Sequence, residues 1–205
     1  MTRRSSGPVI IRAVVALVVA LLGAALLAAP AQAAPVAPTR ANLPVGVNGA
    51  GMSPNDQAVA AIIRANEETA FRYFVGKGLT GKQAAGVVGN LDQESGMDPT
   101  IKQFGGGPGR GIAQWSVGGR WDTYSGDNLV AYASSRGLSK LALRTQLDFI
   151  WFELTKYSYY GLASLKAATT FTAAVKAFQD KFEGCGSCNN TARLRFAKDA
   201  YARYT

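Results

Sequence analysis

GNLDQESGMDP, residues 89–99, decides how this chain is read. An apolar stretch runs into it, Glu94 stands at its end, and Gly96 stops it. Upstream, Thr80 opens TGKQ, a capping box in which the Thr80 hydroxyl and the Gln83 side chain satisfy free backbone donors. The pattern predicts a helix through AAGVVGNLDQES, with Ala84, Val88 and Leu91 as its buried stripe and Val87 beside them. At about 100° per residue, Glu94 falls on the margin of that stripe and Gln93 faces the opposite way. A glutamate there is partly desolvated, which disfavours its charged form. The negative end of the helix dipole pushes the same way. The expectation is a Glu94 that stays protonated near neutral pH and can give its proton to a leaving oxygen. The plainer alternative is a surface glutamate at a frayed helix end.

The pattern continues on both sides. From about Asn55 the chain reads as helical, with Ile62, Ile63, Asn66, Ala70, Phe71 and Phe74 near one stripe and Gly78 as a stop. Residues 100–126 are dense in glycine, so short strands and turns are expected there, with Ile112 and Trp115 as anchors. Helices follow. LRTQLDFIWFEL aligns Leu143, Leu147, Ile150, Trp151 and Leu154, and TFTAAVKAFQDKFEG aligns Phe171, Ala174, Val175, Phe178 and Phe182. Asn190 can cap a last helix that carries Leu194, Ala197, Tyr201 and Tyr204 on one face. Helices, a small irregular β region, then helices make a mainly helical α+β domain with a cleft expected at the β insertion.

Composition narrows the chemistry. The 205 residues contain no histidine, which removes the Ser-His-Asp triad, the Cys-His pair and histidine-bound zinc. An enzyme built from this chain would use carboxylates, tyrosines or lysines as acid and base. Cys185 and Cys188, the only two cysteines, cannot fill a tetrahedral zinc site alone, and a local disulfide between two helices is the expected use. No metal and no cofactor are expected.

Residues 1–33 read as a signal peptide: Arg3, Arg4 and Arg12, an apolar run over 13–29, then Ala31-Gln32-Ala33 as a small-x-small cleavage site. An uncleaved membrane anchor is the alternative. Cleavage would take three of the 22 basic residues and none of the 13 acidic ones, lowering the net charge from +9 to +6. A basic exported protein is drawn to anionic surfaces, the bacterial wall among them. Residues 34–55, rich in Pro, Gly and Ala, read as a linker, and 56–205 as the folded domain.

QESG followed by GRGIAQW and RW resembles the phage tail lysozyme family of the lysozyme-like superfamily, over about residues 66 to 204. GIAQW begins 17 residues after Glu94, and QLDFIWFEL and AAVKAFQDKFEG resemble later parts of the same family. The layout is also similar to soluble lytic transglycosylases and resuscitation-promoting factors. The resemblance implies a lysozyme-like fold and a peptidoglycan glycan strand as partner, cut between N-acetylmuramic acid and N-acetylglucosamine. It implies Glu94 as catalytic acid and Gln114 and Trp115 in the sugar groove, with Trp121 and Tyr124 as further candidates. Phage members sit on virion tail parts. This chain begins instead with an export signal, which implies a secreted or wall-associated version, expected to be a monomer.

Glycoside hydrolysis commonly needs a second carboxylate. Asp122, after Trp121, is the first candidate and Asp98, just past the helix end, the second. Asp92 lies roughly 160° around the helix from Glu94. In lytic transglycosylases the muramoyl 6-hydroxyl attacks and one glutamate suffices, so hydrolysis and transglycosylation both stay open. A non-catalytic wall-binding module on the same scaffold is the alternative reading. A nucleic-acid binder would need a clustered basic face, whereas the basic residues here are scattered over the helices.

Overall fold

The computed structural model describes residues 53–185 and 188–205; the signal-peptide segment and nearly all of the linker lie outside them. Among the described residues no helix is long and apolar enough to cross a membrane. The architecture is mainly helical with one small antiparallel sheet.

Helix α1 spans Pro54–Gly76, capped by the Ser53 side chain, which accepts from Asp56 N–H. Its buried face is Ile63, Glu67, Ala70, Phe71 and Phe74. Ile62, expected on that face, is 61% exposed. One residue is a turn of about 100°, enough to carry a neighbour of Ile63 out of the core.

Helix α2, Gly81–Ser95, starts with the predicted capping box and ends at Gly96 in the left-handed region, φ 58°. It is buried from Gln83 to Asp92 without interruption, on all sides, because α1, α6 and α7 pack around it. That enclosure explains two helix-interior glycines. A Cβ on Gly86 would stand 2.6 Å from Ala174 Cβ, and one on Gly89 would stand 2.5 Å from the Arg193 carbonyl oxygen. Only bare backbone lets α6 and α7 come this close.

The glycine-dense stretch forms strands β1 (Gly109–Arg110) and β2 (Trp115–Ser116), paired Gly109 to Ser116 and Arg110 to Trp115. Side chains hold it more than ladder bonds do. Gln146, fully buried, accepts from Ile112 N–H at 2.9 Å and donates to the carbonyls of Pro99 and Lys140 at 2.7 and 2.8 Å.

Helices α3 (Leu129–Ser134), α4 (Leu143–Lys156), α5 (Leu162–Ala167) and α6 (Phe171–Phe178) follow. A π-helical turn, Gln179–Glu183, extends α6 and buries Phe182. Helix α7, Asn190–Tyr204, closes the domain against α2. Its cap is Asn189, which accepts from Ala192 N–H at 3.1 Å; Asn190, the expected cap, is the first helical residue instead. Both asparagines suit the role, and the three-residue reach to Ala192 selects the earlier one. Cys185 and Cys188 are joined by a disulfide between the π turn and α7.

Candidate active site

Glu94 occupies the last turn of α2, where the helix leaves the core, and its side chain is 23% exposed. One turn earlier, Asn90 is fully buried. Arg193, in the first turn of α7, reaches both: it donates at 2.7 Å to Asn90 Oδ1 and makes a short ion pair with Glu94 Oε1. The guanidinium is almost wholly buried, and its Nη2 also lies 3.9 Å from Cys185 Sγ. The missing Cβ of Gly89 is what lets the backbone of Arg193 settle there. Periodicity places Glu94 at the stripe margin but says nothing of Arg193, which arrives from 99 residues downstream.

Two cavities meet at this carboxyl. The larger, about 820 Å³, runs past Gln93, Gln103, Phe104, Arg195 and Phe196. The smaller, about 280 Å³, is lined by Trp115, Arg120, Tyr124 and Glu183 among others. Glu94, Gln114 and Ser116 line both, so they stand at the junction of one continuous groove. Gln114 holds a left-handed backbone, φ 48°, and donates to the Gly111 carbonyl at 2.9 Å. A non-glycine residue in that region is uncommon and marks a constrained position.

The aromatic candidates divide. Trp115 is 2% exposed and packs in the core against Phe149, with its indole N–H donating to Glu153 at 3.1 Å. Trp121 is 7% exposed and also belongs to the core. A ring this buried has no free face for a sugar: Trp115 backs the wall of the smaller cavity, and Trp121 lines neither of the two. Tyr124 is 55% exposed beside the smaller cavity. Phe104, 99% exposed on the wall of the larger one, is a further aromatic, absent from the sequence-based candidates. Its signal was available: a lone phenylalanine among glycines, in FGGGPG, has no periodic stripe to join.

The expected second acids lie elsewhere. Asp122 is exposed and outside both cavities; its carboxylate accepts from Gly118 N–H and the Thr123 hydroxyl, which hold it below the usual range. Asp98 accepts from Thr100 N–H and hydroxyl and faces a separate apolar pocket with Ile62 and Met97. The carboxyl that does share the smaller cavity with Glu94 is Glu183, at the end of the π turn. Its Oε1 is buried with no hydrogen-bond partner. Burial first, then the Glu94 charge, raises it well above the ordinary carboxyl range against the pull of Arg120 and Arg193. Sequence periodicity hides it, because the π turn breaks the 3.6-residue repeat just before it.

Beneath lies a third carboxyl. Glu153, fully buried in α4, accepts from Arg120 Nε at 2.6 Å and from the Trp115 indole. Burial pushes it up to about 7, only partly offset by Arg120. Arg120 is itself fixed between the Tyr160 and Phe182 rings, 4.4 Å from each centroid, and donates to the Phe182 carbonyl. Among the described residues no His, Cys, Asp and Glu cluster could hold a metal ion.

The model of the phage tail lysozyme family matches residues 65–204, the stretch that builds this half-buried glutamate, its groove and the glycine-rich hairpin beside it. The chain belongs to that family. Membership supports a lysozyme-like glycosidase and peptidoglycan as its substrate. No curated protein matches the chain.

Proposed function

We propose that this protein is an exported peptidoglycan glycosidase that cleaves the glycan strand between N-acetylmuramic acid and N-acetylglucosamine, with Glu94 as general acid. The observation that carries the reading is the position of Glu94 at the junction of the two cavities. A strand laid along the groove presents one glycosidic oxygen to that carboxyl while its sugars extend both ways. Arg193 and Asn90 fix the carboxyl in place. Gln114 and Ser116 offer polar contacts at the same point, and Phe104 and Tyr124 offer ring faces on either side of it. Amphipathic ring faces suit a pyranose, which has apolar C–H faces and polar edges. The signal-like residues 1–33 support export, and the basic balance supports attraction to an anionic wall.

The test is mass spectrometry of purified peptidoglycan digested by the protein, with Glu94→Gln in parallel. The expected outcome is cleavage by the wild type and a loss of about 10²–10⁴-fold in turnover for Glu94→Gln, with glycan binding kept. Anhydro-muramoyl ends identify transglycosylation, in which the 6-hydroxyl attacks. Ordinary reducing ends identify hydrolysis. Absence of products from the wild type would sink the enzyme reading and leave a wall-binding module.

A further inference from the structure

Three carboxyls, Glu94, Glu153 and Glu183, gather around the smaller cavity and its floor with two guanidiniums, Arg120 and Arg193. Each guanidinium is already bonded. Arg193 holds Glu94, and Arg120 holds Glu153, which also takes the Trp115 indole. Glu183 has neither cation bonded to it, and its Oε1 meets no donor at all. An ionised carboxylate needs donors on its oxygens, and leaving one bare in a buried site is costly. The neutral acid tolerates that position far better. So the resting groove holds an ion-paired Glu94 and a proton-bearing Glu183, both facing one small cavity.

That distribution leaves a gap in the proposed chemistry. A general acid must carry a proton, and Glu94 is the carboxyl gripped by a guanidinium. The geometry points to Glu183 as the proton partner of Glu94: the two share one proton across the cavity, held on Glu183 at rest and on Glu94 when a glycosidic oxygen is in place. This rests on the glycosidase reading and deepens it. Substrate at the junction displaces solvent from Glu94 and favours its neutral form. The proton leaves Glu183, which becomes a carboxylate, and bonds to Glu94, which lets go of Arg193. The charge that appears on Glu183 is favoured by the nearby guanidiniums of Arg120 and Arg193. Glu94 then protonates the leaving oxygen as its bond to the anomeric carbon breaks. The attacking oxygen, from water or the 6-hydroxyl, gives its proton to Glu94, which returns it to Glu183. The pair ends with the one proton it began with. Environments that drive two neighbouring carboxyls apart commonly divide acid and base duties in this way.

The first experiment needs no substrate. The glutamate carboxyls of the purified protein are titrated by ¹³C NMR in the wild type, Glu94→Gln and Glu183→Gln. Expected are two glutamates that titrate above the ordinary range: Glu153, and a second that disappears in Glu183→Gln and moves down in Glu94→Gln. Glu183 titrating in the ordinary range, or indifferent to Glu94→Gln, would overturn the proposal. The second is the pH–rate profile of Glu183→Gln on peptidoglycan, after its melting temperature is shown to match the wild type. Its rate should fall about 100-fold at pH 7 with KM little changed. The deficit should shrink at acidic pH, where solvent protons load Glu94 directly. An equal deficit at every pH would mean a structural role and would also overturn it. A raised Glu183 that responds to Glu94→Gln, with no cleavage by the wild type, would sink the glycosidase reading while leaving the shared proton standing.

Discussion

The two walls of the groove are built on opposite principles. On one side, α2 lies against α6 and α7 with glycines at the contacts, and backbone touches backbone. On the other, residues 100–126 have only four strand residues, and polar side chains tie the loop together: Gln103 accepts from Gly109 N–H, Arg110 donates to the Gly107 and Gly109 carbonyls, and Gln146 bonds three separate backbone groups. The first wall fixes Glu94 by leaving no room. The second fixes its shape by satisfying backbone groups one at a time, and so can leave Phe104 in the open. A fixed carboxyl facing a loop with open outer residues suits the proposed glycosidase, which would hold one atom still and grip a long polymer.

Substitutions can break this contrast, the severest first. Trp115→Ala should cost about 3–5 kcal/mol of stability, because it empties a buried site of its largest side chain. A urea unfolding midpoint shared with the wild type would return Trp115 to the groove surface, where the sequence reading had it. Gly89→Ala should cost about 1–3 kcal/mol, since its Cβ meets the backbone of Arg193 rather than a movable side chain. The gain in helix propensity, about 1 kcal/mol, is too small to reverse the sign. Because the clash pushes α7 away from Glu94, turnover of folded Gly89→Ala should fall too. Full turnover would detach Arg193 from the chemistry.

The floor of the second wall should respond to pH. Glu153 is raised from its ordinary value to about 7 in the folded state. A folded state that holds the proton more tightly is favoured while the group is protonated, so this contribution is present at acidic pH and is lost as pH rises from about 4.5 through 7. Urea midpoints measured across that window should fall, and less steeply in Glu153→Gln. The smallest effect belongs to Phe104→Ala. Stability should not change, and glycan affinity should drop by about 2- to 10-fold, the worth of one exposed aromatic contact. An unfolding midpoint lowered as far as in Trp115→Ala would erase the distinction between the walls.

The same contrast explains what could be read from the sequence. Helix α2 was legible to its ends, because the Thr80 capping box, the stripe and the Gly96 stop are all local signals. Membership of the family was legible in the spacing of QESG and GIAQW, and the family match bears it out. The roles inside the β region were not. Trp115 and Trp121 look like sugar platforms when only residue type is known, but both are buried in the core, and α4 supplies Phe149 and Glu153 against Trp115. The partners of Glu94 were hidden for a related reason. Arg193 and Glu183 come from the far end of the chain, and a π turn puts Glu183 out of step with the helix before it. Local pattern finds the acid, and only tertiary packing finds what surrounds it.

The order of synthesis gives that last point a further meaning. Glu94 is made early, and Arg193, 99 residues later, belongs to the final helix. A chain still on the ribosome, or clipped before α7, possesses the acid without the guanidinium that seats it or the helix that closes the groove. The groove is thus completed last, and a partial copy lacks the side chain that holds Glu94.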